Sequence, residues 1–210
     1  MRDYQAWHRD YDDPASELSQ RLRVVQQRLR ERLDALAPGP VRVISMCAGQ
    51  GRDLIPVLAR HPRRADVSAA LLEIDHDNAA YARQLAADAR LDTVTVVEAD
   101  AGSSDPYEPY APANILLACG IFGNITDGDL ENTVGHLSML CRPGASVIWT
   151  RHWKQPDLIT SIRKWFQASG FDDLGFEALD TEAKMGVGVS RLSANPKPFV
   201  RSFRFFTFVR

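Results

Sequence analysis

The chain has 210 residues, 45% of them hydrophobic and 25% charged, a balance that supports a sizeable core and excludes a wholly disordered chain. The formal net charge of -2 gives no bulk attraction to nucleic acid, and the longest central run free of polar side chains, residues 115–123, is too short to cross a bilayer. Residues 1–8 hold no apolar stretch after Arg2, and the three cysteines (Cys47, Cys119, Cys141) form no C-x-x-C pair, so the expectation is a cytoplasmic chain without a membrane anchor, a disulfide framework or a metal centre.

The first thirteen residues mix the aromatics Tyr4, Trp7 and Tyr11 with acids. Asp13-Pro14 then reads as a helix start, with Asp as the cap and Pro at the first helical position. Leu18, Leu22, Val25, Leu29, Leu33 and Leu36 follow at spacings of three and four, which makes one apolar face of a long helix, and Pro38-Gly39-Pro40 stops it. From Val41 the rhythm alternates. Strands are predicted at 41–46, 67–72, 93–97, 115–118 and 146–150, and helices at 53–60, 77–90, 130–140 and 158–168, with residues 141–144 as a turn. Repeated strand–helix units imply an α/β fold, a doubly wound, mostly parallel sheet with helices on both faces. Residues 180–199 are the least regular and predict a loop over the sheet edge. The Phe-rich stretch 200–209 partly alternates and is predicted to enter the sheet as a last, antiparallel strand. No composition shift divides the chain, so residues 1–210 are expected to form one domain: an arm and helix (1–38), a core (41–152) and a C-terminal part that completes the sheet (153–210).

Parallel sheets bind ligands at the carboxyl ends of their strands, where the strand order reverses. The first strand–helix turn is Ser45-Met46-Cys47-Ala48-Gly49-Gln50-Gly51-Arg52-Asp53. Gly49 and Gly51 let the backbone approach a ligand, and the helix start beyond them offers free N–H groups. The third glycine of a dinucleotide fingerprint is missing, since Leu54 stands there, which argues against a nicotinamide oxidoreductase. Glu73 ends the second strand, 22 residues past Gly51, placed to accept from the hydroxyls of a ribose. Asp100 ends the third strand and can accept from an exocyclic adenine amine.

With those residues in order, the sequence resembles the class I S-adenosylmethionine-dependent methyltransferases. The stretches that carry the resemblance are VRVISMCAGQGRDL, LLEIDHDNAAYAR, VTVVEADA, ANILLACGIFGNIT and LCRPGASVIWTRH, which cover roughly residues 41–152. The resemblance implies a Rossmann-like sheet of seven strands with the last antiparallel, and S-adenosylmethionine as cofactor with S-adenosylhomocysteine as product. It implies that Cys47, Ala48, Gly49 and Gly51 hold the methionine part, Glu73 the ribose, Ile74 the adenine face, and Asp100 with Ala101 the adenine edge. Cys119, Gly120 and Ile121 would line the sulfonium side. The sequence departs from the family pattern at Ser45 and Asn114, where an acid is usual, and at Cys47, where glycine is usual.

The expected reaction is methyl transfer to oxygen or nitrogen of a small-molecule acceptor. His152 and Asn124 are the candidates for catalysis, as base and as hydrogen-bonding partner, because both follow strands on the ligand side. Tyr4, Trp7 and Tyr11 are expected to fold over the acceptor as a lid, with Phe122, Asn124 and His152 beside it. No Lys or Arg occurs between Arg90 and Arg142, while eight acids do, which predicts an acidic rim suited to a small or cationic acceptor. From Lys184 onward the chain is basic without an acid, and the helix arginines, Arg21 among them, read as a solvated face. The alternatives are an RNA or protein methyltransferase, supported only by that basic tail, and a catalytically silent module that binds the cofactor.

Overall fold

The computed structural model describes residues 10–209. Its strands are β1 (Val41–Ser45), β2 (Val67–Glu73), β3 (Val94–Glu98), β4 (Ala113–Ala118), β5 (Cys141–His152), β6 (Phe171–Ala178) and β7 (Met185–Leu192). Its helices are α1 (Glu17–Asp34), α2 (Ile55–Arg60), α3 (His76–Asp88), α4 (Asp127–His136) and α5 (Ile159–Ala168). The seven strands form one sheet in the order β3-β2-β1-β4-β5-β7-β6, with β7 antiparallel to both of its neighbours.

Two apolar layers sandwich the sheet. Val25, Leu29 and Leu33 of α1 pack with Ile55, Val57 and Leu58 of α2 and Ala82 and Ala86 of α3 on one face. Leu130 and Val134 of α4 and Ile159, Ile162 and Phe166 of α5 cover the other, together with Phe205 and Phe206 from the chain end. The helix starts follow from their caps. Ser16, not Asp13, caps α1, its side chain accepting from the Ser19 N–H at 3.0 Å, while the Asp13 carboxylate accepts from Ala15 instead. Asp75 caps α3 and Thr126 caps α4 in the same manner, so α4 begins three residues earlier than predicted and ends at His136.

Three expectations about the C-terminal third are corrected. The antiparallel strand is 185–192, inside the stretch expected to be a loop, and β6 (Phe171–Ala178) is an additional edge strand. Gly186 and Gly188 hid β7, because glycine weakens a strand pattern. Here they are required: a Cβ on Gly188 would fall 2.1 Å from Cε2 of Trp149, and one on Gly186 would fall 2.1 Å from Cζ of Phe176. Residues 200–209 form no strand. Phe205 and Phe206 are adjacent and both fully buried, which a strand with one solvated face does not allow. The segment makes only two isolated bridges, Ser103 with Arg204 and Ile125 with Phe208. The expected turn at 141–144 is the opening of a longer β5.

Among the described residues, no helix is long and apolar enough to cross a membrane. A groove of about 530 Å³ lies between α1, β6 and β7; Arg28 within it is already paired with Glu31 and Glu177.

Candidate functional site

β1 is flanked by β2 on one side and β4 on the other, so the strand order reverses at its carboxyl end. The turn that follows hangs from both neighbours: the Met46 N–H donates to Leu117 O of β4 and the Ala48 N–H to Leu72 O of β2. Cys47, Gly49 and Gly51 take φ values of 49, 53 and 69°. For Cys47, which has a Cβ, that left-handed backbone costs about 1 kcal/mol or more. Gly51 is there for packing, since a Cβ would lie 2.6 Å from Cδ1 of Ile55 and 2.8 Å from Cδ2 of Leu71.

Glu73 fastens this turn to the next one. Its Oε2 accepts from the Gly49 N–H at 2.7 Å and its Oε1 from the Asp75 N–H at 2.9 Å. The residue is only 8% exposed, and burial raises its pKa while the backbone donors oppose the shift. Asp100, at the end of β3, accepts from the Gly102 N–H through Oδ1 at 2.8 Å and pairs with Arg204 through Oδ2 at 2.5 Å. The Cys47 thiol is pushed up first by burial, then by the charges of Glu73 and Asp100, so the three groups sit close enough to feel one another. Tyr107 joins them, its hydroxyl donating to Ala101 O at 2.7 Å. Ile74 is 68% exposed beside Glu73.

A second cluster lies toward β4. The Gly120 N–H donates to the Thr150 hydroxyl at 2.8 Å, and on the side where a Cβ would stand Gly120 faces open space within 4 Å. Burial raises the Cys119 thiol, and Asp53 raises it further. Burial also lifts the Asp53 carboxyl to about 6, and its Oδ1 is buried with no partner among the described residues. The Tyr11 hydroxyl accepts from Nη2 of Arg21 at 2.8 Å and is raised by burial and by Asp53. The Arg52 guanidinium lies 5.7 Å from the Tyr11 ring centroid and 5.3 Å from that of Tyr81.

Asp53 and Arg21 are therefore part of the site although neither was singled out from the sequence. The signal for Arg21 was its position: three residues after Leu18 and four before Val25, it shares the helix stripe that turns inward, so it is not part of a solvated face. Asp53 has no such signal, because its burial depends on distant segments folding over it.

The acceptor-side residues have different fates. His152 is half-buried, its Nδ1 has no partner among the described residues, and its pKa is lowered by burial and by Arg151 and Lys154. Its Cδ2 lies 3.5 Å from where a Cβ of Gly123 would be. The Asn124 amide donates to Gly120 O at 2.8 Å, closing its own turn. Phe122 is fully buried, with ring centroids 5.9 Å from Trp149 and 6.5 Å from Phe166, so its ring belongs to the core. Tyr11 is docked on α1; Tyr4 and Trp7 lie outside the described residues. Of the departures from the family pattern, Asn114 has a structural task, its Oδ1 accepting from the Arg42 N–H at 2.9 Å.

The acidic rim and the basic tail prove to be partners. Arg201 pairs with Glu108, Arg204 with Asp100, the Ser202 N–H donates to Asp105, and the Thr207 N–H donates to Asp129. The tail thus bridges the loops after β3 and β4, ending with the Val209 N–H on Asn124 O at 2.9 Å. Two of the eight rim acids, Asp100 and Glu108, are thus ion-paired with tail arginines and two more, Asp105 and Asp129, accept backbone N–H groups, which reduces the negative charge expected at this rim and occupies Arg201 and Arg204.

No family model and no curated protein matches the sequence. Solved structures match in fold. Magnesium protoporphyrin IX methyltransferase (ChlM) from Synechocystis PCC 6803, solved with bound SAH, aligns at a TM-score of 0.66 and 16% identity over 90% of this chain and 93% of its own. The chain has the Rossmann-like methyltransferase fold. An O-methyltransferase family protein from Burkholderia thailandensis aligns at a TM-score of 0.61 and 15% identity over 82% of this chain, which spans 57% of that protein. The [4+2]-cyclase SpnF aligns at 0.58 and 15% identity over 80% of this chain and 81% of its own. In this methyltransferase fold the two clusters above lie along one sheet edge, at the carboxyl ends of β1 to β5.

Proposed function

We propose that the protein transfers the methyl group of S-adenosylmethionine to an oxygen or nitrogen of a small-molecule acceptor. The observation that carries the reading is the convergence of Cys47, Glu73 and Asp100 at the strand-order reversal, with Glu73 tied to the glycine turn. The ChlM structures with bound SAH and SAM support the choice of cofactor. Glu73 fits the role because two backbone donors leave acceptor capacity on both of its oxygens for two ribose hydroxyls. Ile74 offers an exposed apolar face for the adenine, and Asp100 with Ala101 borders its edge. Cys47, Ala48, Gly49 and Gly51 would pass beside the methionine part, and Cys119 with Gly120 beside the sulfonium. Asp53 and Arg21 face this end as a carboxylate and a guanidinium, complementary to an amino acid's ammonium and carboxylate; Asp53 would supply the acid that Ser45 lacks.

The cofactor supplies an activated methyl on a positively charged leaving group, so the chain's own residues need to position and desolvate. Tyr11, held by Arg21 and beside Arg52, would cover the site from the N-terminal side. His152 serves as the base: burial and the charges of Arg151 and Lys154 lower its pKa and so favour the neutral ring, and Nδ1, without a partner among the described residues, is the nitrogen left to take the acceptor's proton. Replacing it, His152→Ala, is expected to lower turnover by roughly 10²-fold with cofactor affinity unchanged; a loss below threefold would leave positioning as the whole of catalysis. SpnF favours a second reading, that the chain uses the same cleft for a reaction other than methyl transfer. Binding of S-adenosylmethionine without its consumption across oxygen, nitrogen and carbon acceptors would select that reading.

A further inference from the structure

Arg151 lies near the carboxyl end of β5 and is 9% exposed. Its Nη1 donates to Phe122 O, yet its Nε is buried with no acceptor, and no carboxylate among the described residues is within ion-pair distance. Asp127 and Asp157 act on it only from farther away, and burial lowers its pKa. Two residues on, Nε1 of Trp153 is likewise buried without an acceptor. Trp153 packs against the same core cluster that contains Phe122, with Lys184 Nζ 4.8 Å from its ring centroid, while its backbone N–H, not the indole, donates to Lys184 O at 2.7 Å. A buried donor without an acceptor costs about 1–3 kcal/mol, and a charged one more. The two residues stand two apart in the chain, Arg151 held at the Phe122 carbonyl and Trp153 packed on the core cluster that holds Phe122, and two buried donors without acceptors in one short segment are the complement of an anionic oxygen. A guanidinium edge flanked by an indole N–H suits a planar carboxylate.

We infer that Arg151 and Trp153 form a carboxylate-binding site, so that the acceptor is a small molecule bearing a carboxylate; the second half rests on the methyl-transfer reading above. Pairing of Asp100 and Glu108 with tail arginines lessens the electrostatic objection to an anionic substrate at this edge.

The test uses the full chain saturated with S-adenosylhomocysteine, after calorimetry has established that saturation. Sodium formate, small enough for any carboxylate site, is titrated at constant ionic strength against sodium chloride and formamide controls. The readout is the indole N–H resonance of Trp153, assigned with Trp153→Phe, and the Arg151 Nε–H resonance. The expected result is a saturable shift of both with formate alone, its half-saturation raised roughly tenfold or more in Arg151→Gln. The unmoved indole signals of Trp149 and Trp165 verify that this variant is folded; Arg151→Lys, which keeps the charge and loses the fork, replaces it if they move. Absence of a saturable shift, or an equal response to chloride, would overturn the site and leave a water as the donors' partner. Saturation by formate in a protein that does not bind S-adenosylhomocysteine would uphold the carboxylate site and overturn its assignment to a methyl acceptor.

Discussion

Glu73 already accepts two hydrogen bonds from its own chain, and that double duty makes it the most informative single residue. Replacing it by alanine removes the ribose acceptor and releases the Gly49 N–H together, so cofactor affinity is expected to fall by about 1.5–3 kcal/mol in a calorimetric titration. Asp53 gives a pH signature. Burial raises its pKa from 3.8 to about 6, so the ionised form is disfavoured in the folded protein. Its stabilising contribution is present in full below the unfolded value and is lost as the pH rises through 6. Asp53→Asn is therefore expected to be more stable than the parent at pH 8 by about 1–3 kcal/mol and indistinguishable from it at pH 3.5, as read by urea unfolding. An equal difference at both pH values would show that ionisation plays no part. Glu73 and Asp100 were legible in the sequence because strand ends are, and Arg21 could have been read from its place on the inward helix stripe, whereas Asp53 and Arg151 were not: their importance comes from burial, and burial of a charge is set by segments remote in the chain.

At the scale of elements, the glycines of β7 and the Phe-rich tail exchange the roles expected of them. The strand reads weakly because Trp149 and Phe176 occupy the space of two missing side chains. Gly188→Ala is accordingly expected to lower stability by about 1–3 kcal/mol, seen as a drop in Tm without loss of the sheet's circular dichroism. The tail reads as a strand because it is aromatic and partly alternating, yet its phenylalanines fill a gap beside Tyr107, Phe205 meeting that ring edge-on at 5.9 Å. Phe205→Ala is expected to cost about 3–5 kcal/mol, and Arg204→Ala less than about 1 kcal/mol because its pair with Asp100 is half-exposed. Comparable losses in urea melts of the two variants would mean that the tail is held by charge rather than by packing. The strand–helix alternation from β1 to α5 was legible because each unit carries its own period, apolar runs for buried parallel strands and three-four spacing for helices.

Across the whole molecule, chain order and strand order together put the ends of β1, β2, β3 and β4 on one sheet edge, and the glycine turn at their centre is where a ligand meets most of them. Strands β1 to β5 were legible before the structure; β6, β7 and a tail that pairs with Asp100 and Glu108 were not, the tail because each charge run taken alone looks like a separate feature of the surface. The central claim is that this edge holds an adenosyl cofactor gripped by Glu73. Its most direct test is isothermal titration of the full chain and of Glu73→Ala with S-adenosylhomocysteine. The account predicts saturable one-to-one binding by the parent and an affinity at least tenfold lower in the variant. Absence of binding by the parent, or an unchanged affinity in the variant, would contradict it.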